Sequence, residues 1–162
     1  MPPTRDAVRL CIWGFACLLA SCAGSGGGGG GGTPKPACKP PAGGATISFK
    51  GVIQPIFNRS CAFSPSCHAG PAPSQGNDLS PGKACASSIN VKATEVPTLK
   101  RVKPGDPANS YLVQKIQGPV VSGVLMPQGC PGPPVDSRAQ CLTPDEIQAI
   151  VQWVTECAPC NN

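Results

Sequence analysis

The segment Cys61-Ala62-Phe63-Ser64-Pro65-Ser66-Cys67-His68 sets two thiols and an imidazole close together in the chain. Two cysteines ending in Cys-His read as covalent haem attachment. His68 is the only histidine, and of the two methionines Met1 falls in an export signal, which leaves Met126 in Val124-Leu125-Met126-Pro127. An imidazole and a thioether together make one of the axial ligand pairs of haem iron. The chain therefore offers one candidate for each axial position, His68 and Met126, and no competitor for either.

The elements around these residues begin with a leader. Residues 1–21 read as a signal peptide: Arg5 and Arg9 supply a basic start, and Leu10 to Ala20 is an apolar run too short to span a bilayer as a helix. The run ends in Leu19-Ala20-Ser21-Cys22, which is similar to the bacterial lipobox, where cleavage precedes a cysteine that is then lipidated. Cys22 is the expected lipid attachment site, and several acyl chains there would hold the protein on a membrane. An ordinary secretory signal cut nearby is the plainer alternative. Both put the protein outside the cytoplasm, at the bacterial cell envelope on the periplasmic side or the outer-membrane surface.

Residues 22–45 are expected to be a tether. Ala23 to Gly32 is nearly all glycine and the stretch to Gly44 is rich in proline, a composition that resists ordering. A phosphate-binding loop is excluded because no strand precedes the glycines and no Gly-Lys-Ser/Thr follows them. Residues 46–162 then form one small domain. The whole chain has only four Phe, two Trp and one Tyr, so the core is thin, and small domains compensate with disulfides, metals or cofactors.

The net charge of +5 excludes little. The one basic cluster, Lys100-Arg101-Lys103, reads either as a solvated loop face or as a docking patch for an acidic redox partner. There is no long basic stripe with interleaved aromatics, so no nucleic-acid partner is expected.

Eleven cysteines are present. Cys11 and Cys17 leave with the signal, Cys22 goes to lipid, and Cys61 and Cys67 go to the haem. The six that remain imply three disulfides in an oxidising compartment. The expected pairs are Cys130–Cys141, closing a proline-rich loop, with Cys157 and Cys160 bonded to Cys38 and Cys85. The parity would also be even if Cys61 and Cys67 bonded to each other.

The pattern predicts an all-α domain of short helices and long loops. Phe49, Val52, Ile53, Ile56 and Phe57 recur at helical spacing within 47–60, with Pro55 kinking or delaying the helix. Ser80-Pro81 should cap and open a helix to about Ser88, and Asp106-Pro107 should open one from Ala108 to Gln117 that stops at Gly118. Thr143-Pro144-Asp145-Glu146 is a capping box, and Ile147, Ile150, Val151 and Val154 form one apolar face of a last helix. Val120 to Leu125 could be briefly extended.

With these residues in view, the stretch from Phe49 to Cys157 resembles class I mono-haem cytochrome c, in the form found in bacterial lipoproteins. The likeness rests on an apolar helix leading into Cys61 and Cys67-His68, then Arg101-Val102-Lys103-Pro104-Gly105-Asp106-Pro107 with Ser110-Tyr111-Leu112 and Lys115-Ile116. It continues in Leu125-Met126-Pro127 and in Leu142-Thr143-Pro144-Asp145-Glu146-Ile147 with Ile150 and Trp153. The resemblance implies a small cytochrome c-like fold holding one covalent haem c. Cys61 and Cys67 would form thioethers to its vinyl groups, with His68 as proximal ligand and Met126 as distal ligand. Phe57, Leu79, Tyr111, Leu112, Ile116 and Trp153 are the candidates to line the pocket, a role that plain core packing does not exclude. The implied function is electron transfer to a redox partner protein by a monomer, not catalysis.

The usual attachment motif has two residues between its cysteines, and this one has five. Four arrangements follow: both cysteines attach haem, haem is held through fewer thioethers, the two form a disulfide in a domain without haem, or zinc takes Cys61, Cys67 and His68. The haem-free alternative would be a disulfide-stapled binding or structural module of the envelope. A peroxidase-like enzyme would need an open or second haem, and one histidine with one cysteine pair makes it a weaker reading than the carrier.

Overall fold

A computed structural model describes residues 38–162. The signal peptide, the lipobox with Cys22 and the glycine run of the tether lie outside the described residues. The first helical segment starts at Ser48, whose hydroxyl accepts the amide of Gly51 at 3.0 Å. It runs as a π-helical turn over Phe49–Ile53 and then as α1 over Gln54–Ser60. Pro55 has no amide to donate, so the expected kink takes the form of a widened turn just before it. Phe49, Ile53, Ile56 and Phe57 are buried, while Val52 turns outward.

α2 covers Ala84–Ser88. Ser80-Pro81 does not open it, contrary to the sequence expectation: residues 81–83 form a turn, with Lys83 and Ala84 donating to the carbonyl of Ser80. Asp106 caps a 3-10 turn over Pro107–Asn109 rather than the helix itself. The chain is extended at Ser110, and α3 begins only at Tyr111, running to Gln117. Gly118, at φ +69°, ends α3 as expected. α4 spans Pro144–Thr155 with both halves of the Thr143/Glu146 capping box in place. Val120 to Leu125 carries no strand. Among the described residues β-pairing is confined to isolated bridges, Ile89 with Val102, Lys92 with Lys100, and Lys100 with Ser110.

The core is the seam between the first helical segment and α4. Trp153 packs against Phe49 at 5.5 Å and edge-on to Phe57 at 6.2 Å between ring centroids, and its indole nitrogen donates to the carbonyl of Pro159 at 2.8 Å. Ile150, Val154, Leu79 and Val102 close this cluster. It is a small core, and three disulfides supplement it: Cys38–Cys157, Cys85–Cys160 and Cys130–Cys141. The pairs match the expectation, and the structure decides which terminal cysteine takes which partner. Cys157 and the next residue, Ala158, both sit at positive φ, held there by the bond to Cys38 and by amide bonds back to Val154 and Trp153. The buried carboxylate of Glu156 fastens the same end, accepting from the amides of Thr46 and Ile47 and from the Thr46 hydroxyl.

The result is a small all-α domain of short helices and long loops stapled by three disulfides. Such bonds belong to an oxidising, extracytoplasmic setting. No helix among the described residues is long and apolar enough to cross a membrane.

Candidate functional site

Cys61 ends α1, its amide donating to the carbonyl of Phe57 at 2.9 Å. The five residues after it fold out as a loop. Cys67 donates to the carbonyl of Ser64 at 3.0 Å, and His68 donates to the carbonyl of Cys61 at 3.0 Å, closing the loop at its base. The extra spacing is thus absorbed locally, and Cys67-His68 returns to the end of the helix that carries Cys61. Phe63, within the loop, faces the guanidinium of Arg138 at 5.8 Å from the ring centroid. This sets the loop against the segment closed by Cys130–Cys141.

The imidazole of His68 is oriented by backbone. Its Nδ1 lies 3.2 Å from the carbonyl oxygen of Asn77, and the Asn77 side chain accepts from the hydroxyls of Ser87 and Ser88 in α2. A ring nitrogen fixed by a carbonyl leaves the opposite nitrogen, Nε2, as the one able to bind a metal. Burial pushes the His68 pKa below its ordinary value, against hydrogen bonds to the backbone of Asn77 and Ser74, which favours the neutral ring. Burial also pushes the Cys61 thiol up to about 12, with Cys67 adding to the shift and Arg59 opposing it. Cys61 and Cys67 are the two described cysteines outside disulfides.

Two adjoining clefts meet at these residues. Cys61, His68, Ser74 and Met126 line both of them. The first, open to solvent, is walled by Tyr111, Leu112 and Ile116 of α3 and by Ala93, with Glu95, Arg101 and Lys115 as its charged groups. The second, the roomier of the two, lies between Phe63, Cys67 and the segment from Met126 to Ala139. Met126 reaches the clefts on a loop that leaves α3 at Gly118, and its amide donates to the carbonyl of Lys115 at 2.7 Å.

All four residues singled out by sequence, Cys61, Cys67, His68 and Met126, therefore stand on this pair of clefts. Of the expected pocket wall, Tyr111, Leu112 and Ile116 are on the first cleft, whereas Phe57, Leu79 and Trp153 lie in the core and line neither. No group of three His, Cys, Asp or Glu side chains among the described residues is gathered closely enough to hold a metal ion, Cys61, Cys67 and His68 included.

The basic cluster divides on folding. Arg101 turns its guanidinium onto the carbonyls of Gln75, Gly76 and Ser87, clamping the segment that leads to Asn77. Lys103 pairs with Asp106 at 2.6 Å. Of the three, Lys103 alone has an ion pair among the described residues. Sequence reasoning missed Asn77 and Glu95, because single polar residues in loops carry no periodic signal, and it gave Lys115 of α3 no role of its own. Comparison of the chain with known protein families, with curated proteins and with solved structures found no match.

Proposed function

We propose that this chain is a one-electron carrier, a mono-haem c-type cytochrome tethered by lipid at Cys22 to a bacterial envelope membrane. The observation that carries the reading is that His68 and Met126, far apart in sequence, line the same two clefts together with Cys61. The site's chemistry fits the group. It has an imidazole with Nε2 left over, a thioether, two thiols outside the disulfide set, and an apolar wall from α3 and Ala93. When bound, haem supplies one-electron iron chemistry, and a methionine opposite a histidine raises its potential.

The chain's own residues do the rest. His68 and Met126 would hold the iron, with the Asn77 carbonyl orienting the imidazole through Nδ1. Cys61 and Cys67 would attach the group covalently, with the five residues between them folded out as a loop closed by backbone bonds. Leu112, Ile116 and Ala93 would pack their apolar atoms against the group. With His68 and Met126 both given to the metal, no position would be left for a substrate, so the protein would carry electrons for a partner rather than catalyse a reaction. The glycine-rich tether would let the domain move between partners on the membrane.

The test is a reduced-minus-oxidised visible spectrum and an intact mass of the full chain, made in a periplasm with haem-attachment machinery. A sharp low-spin c-type spectrum and a mass raised by one haem are expected. A colourless protein with Cys61 bonded to Cys67 would overturn the reading in favour of a haem-free binding module of the envelope.

A further inference from the structure

Lys115 sits in the middle of α3 with its side chain only 9 % exposed. A lysine so placed must find partners, since an unpaired buried charge is costly. Its Nζ lies 3.5 Å from the Glu95 carboxylate and 3.3 Å from the carbonyl oxygen of Ser122, and 5.5 Å from the centroid of the Tyr111 ring. The Tyr111 hydroxyl is 2.8 Å from Glu95 Oε2 and 3.1 Å from the same Ser122 carbonyl. Lys115 also holds Met126 through its own main chain, by the 2.7 Å bond already described. One residue thus grips the loop 118–126 twice, at Ser122 with its side chain and at Met126 with its carbonyl.

The loop has little else to hold it down. Val121 is 60 % exposed and Val124 48 %, so apolar burial contributes little to its position. Gly123, at φ +70°, passes so close over the ion pair that a Cβ there would come within 2.8 Å of Lys115 Nζ and 3.0 Å of Glu95 Oε1. The positive φ favours glycine there, and a Cβ would displace the ends of both side chains.

We propose that Lys115, Glu95 and Tyr111 form a polar latch that fastens the loop 118–126 to α3 and thereby positions Met126 at the clefts. Lys115 and Tyr111 are positioning residues. The inference rests on the haem reading for what Met126 does, and not for how it is held.

Amide hydrogen exchange on the full chain tests it, comparing Lys115→Met and Tyr111→Phe with the natural protein, both without haem and after haem loading. Lys115→Met removes a hydrogen bond to a charged group, so exchange at the Met126 amide, the amide of 119–126 that has a backbone acceptor, should rise about tenfold while the amides of α4 keep their protection. Tyr111→Phe should move the same amide in the same direction. In haem-loaded Lys115→Met the absorption of thioether-ligated ferric iron should weaken and the potential fall. Unchanged exchange in the loop, or a rise spread evenly through α4, would overturn the latch. Should Lys115→Met fail to fold, Tyr111→Phe, which changes no charge, decides alone. A loosened loop in a chain that takes up no haem would uphold the latch and remove the haem reading. A protein that loads haem and keeps its loop protection in the variants would do the reverse.

Discussion

The Nδ1 atom of His68 lies 3.2 Å from the carbonyl oxygen of Asn77, and Asn77 is itself locked by hydroxyls from Ser87 and Ser88. The one histidine of the chain is therefore held by a relay that ends in α2. Asn77→Ala removes both side-chain bonds while keeping the carbonyl. It should cost about 1–2 kcal/mol, measured by denaturant unfolding. The imidazole should lose its fixed tautomer, read from the nitrogen resonances of the ring. A ring signal identical to that of the natural protein would show that the backbone alone orients His68.

Met126→Ala should open the distal position of the haem-loaded protein and lower its potential, because the thioether is the ligand that favours the reduced iron. A potentiometric titration with visible detection checks this. An unchanged spectrum and potential would take Met126 out of the site.

The two thiols should react unequally in the haem-free protein. Cys61 is 8 % exposed and its pKa is pushed up to about 12, chiefly by burial, so its thiolate is scarce and shielded. Cys67 is partly exposed. Timed alkylation followed by peptide mapping should label Cys67 first, with Cys61 labelled only as the domain opens. Equal rates under native conditions would contradict the buried setting of Cys61.

Acid should loosen the joined chain ends. Burial works to raise the Glu156 pKa, but hydrogen bonds from Thr46, Gln152 and Ile47 outweigh it and hold the value below the ordinary 4.5. A carboxyl depressed in the folded state adds stability above its unfolded pKa and loses it as pH falls through the folded value. Unfolding free energy should therefore decline below pH 4.5, and Glu156→Gln should be less stable at pH 7 yet flatter over that acid range. Parallel profiles for the two proteins would remove Glu156 as a source of the acid sensitivity.

Much of the local design was legible before folding. The Thr143/Glu146 box, the stop at Gly118 and the disruption at Pro55 are short-range effects of hydrogen-bonding groups present or missing, and all three stand in the structure. Expectations failed where a local signal was ambiguous. Ser80-Pro81 suits a turn as well as a helix start, and the turn is what forms. Phe57, Leu79 and Trp153 are apolar enough for a cofactor wall, but apolarity does not say which buried surface a side chain joins, and these three went to the core.

By itself the sequence determined the donors and the covalent arithmetic. It shows one histidine, one methionine beyond Met1, a cysteine pair ahead of the histidine, and six further cysteines to pair. These follow from residue type and count, which need no coordinates. Only the tertiary structure decided that His68 and Met126 share their clefts, that Cys157 pairs with Cys38 and Cys160 with Cys85, and that Lys115, Glu95 and Tyr111 meet over Gly123. The physical reason is that such contacts join loops distant in the chain. Their partners are chosen by how the helices pack and where the disulfides close, and neither leaves a periodic mark on the residues involved.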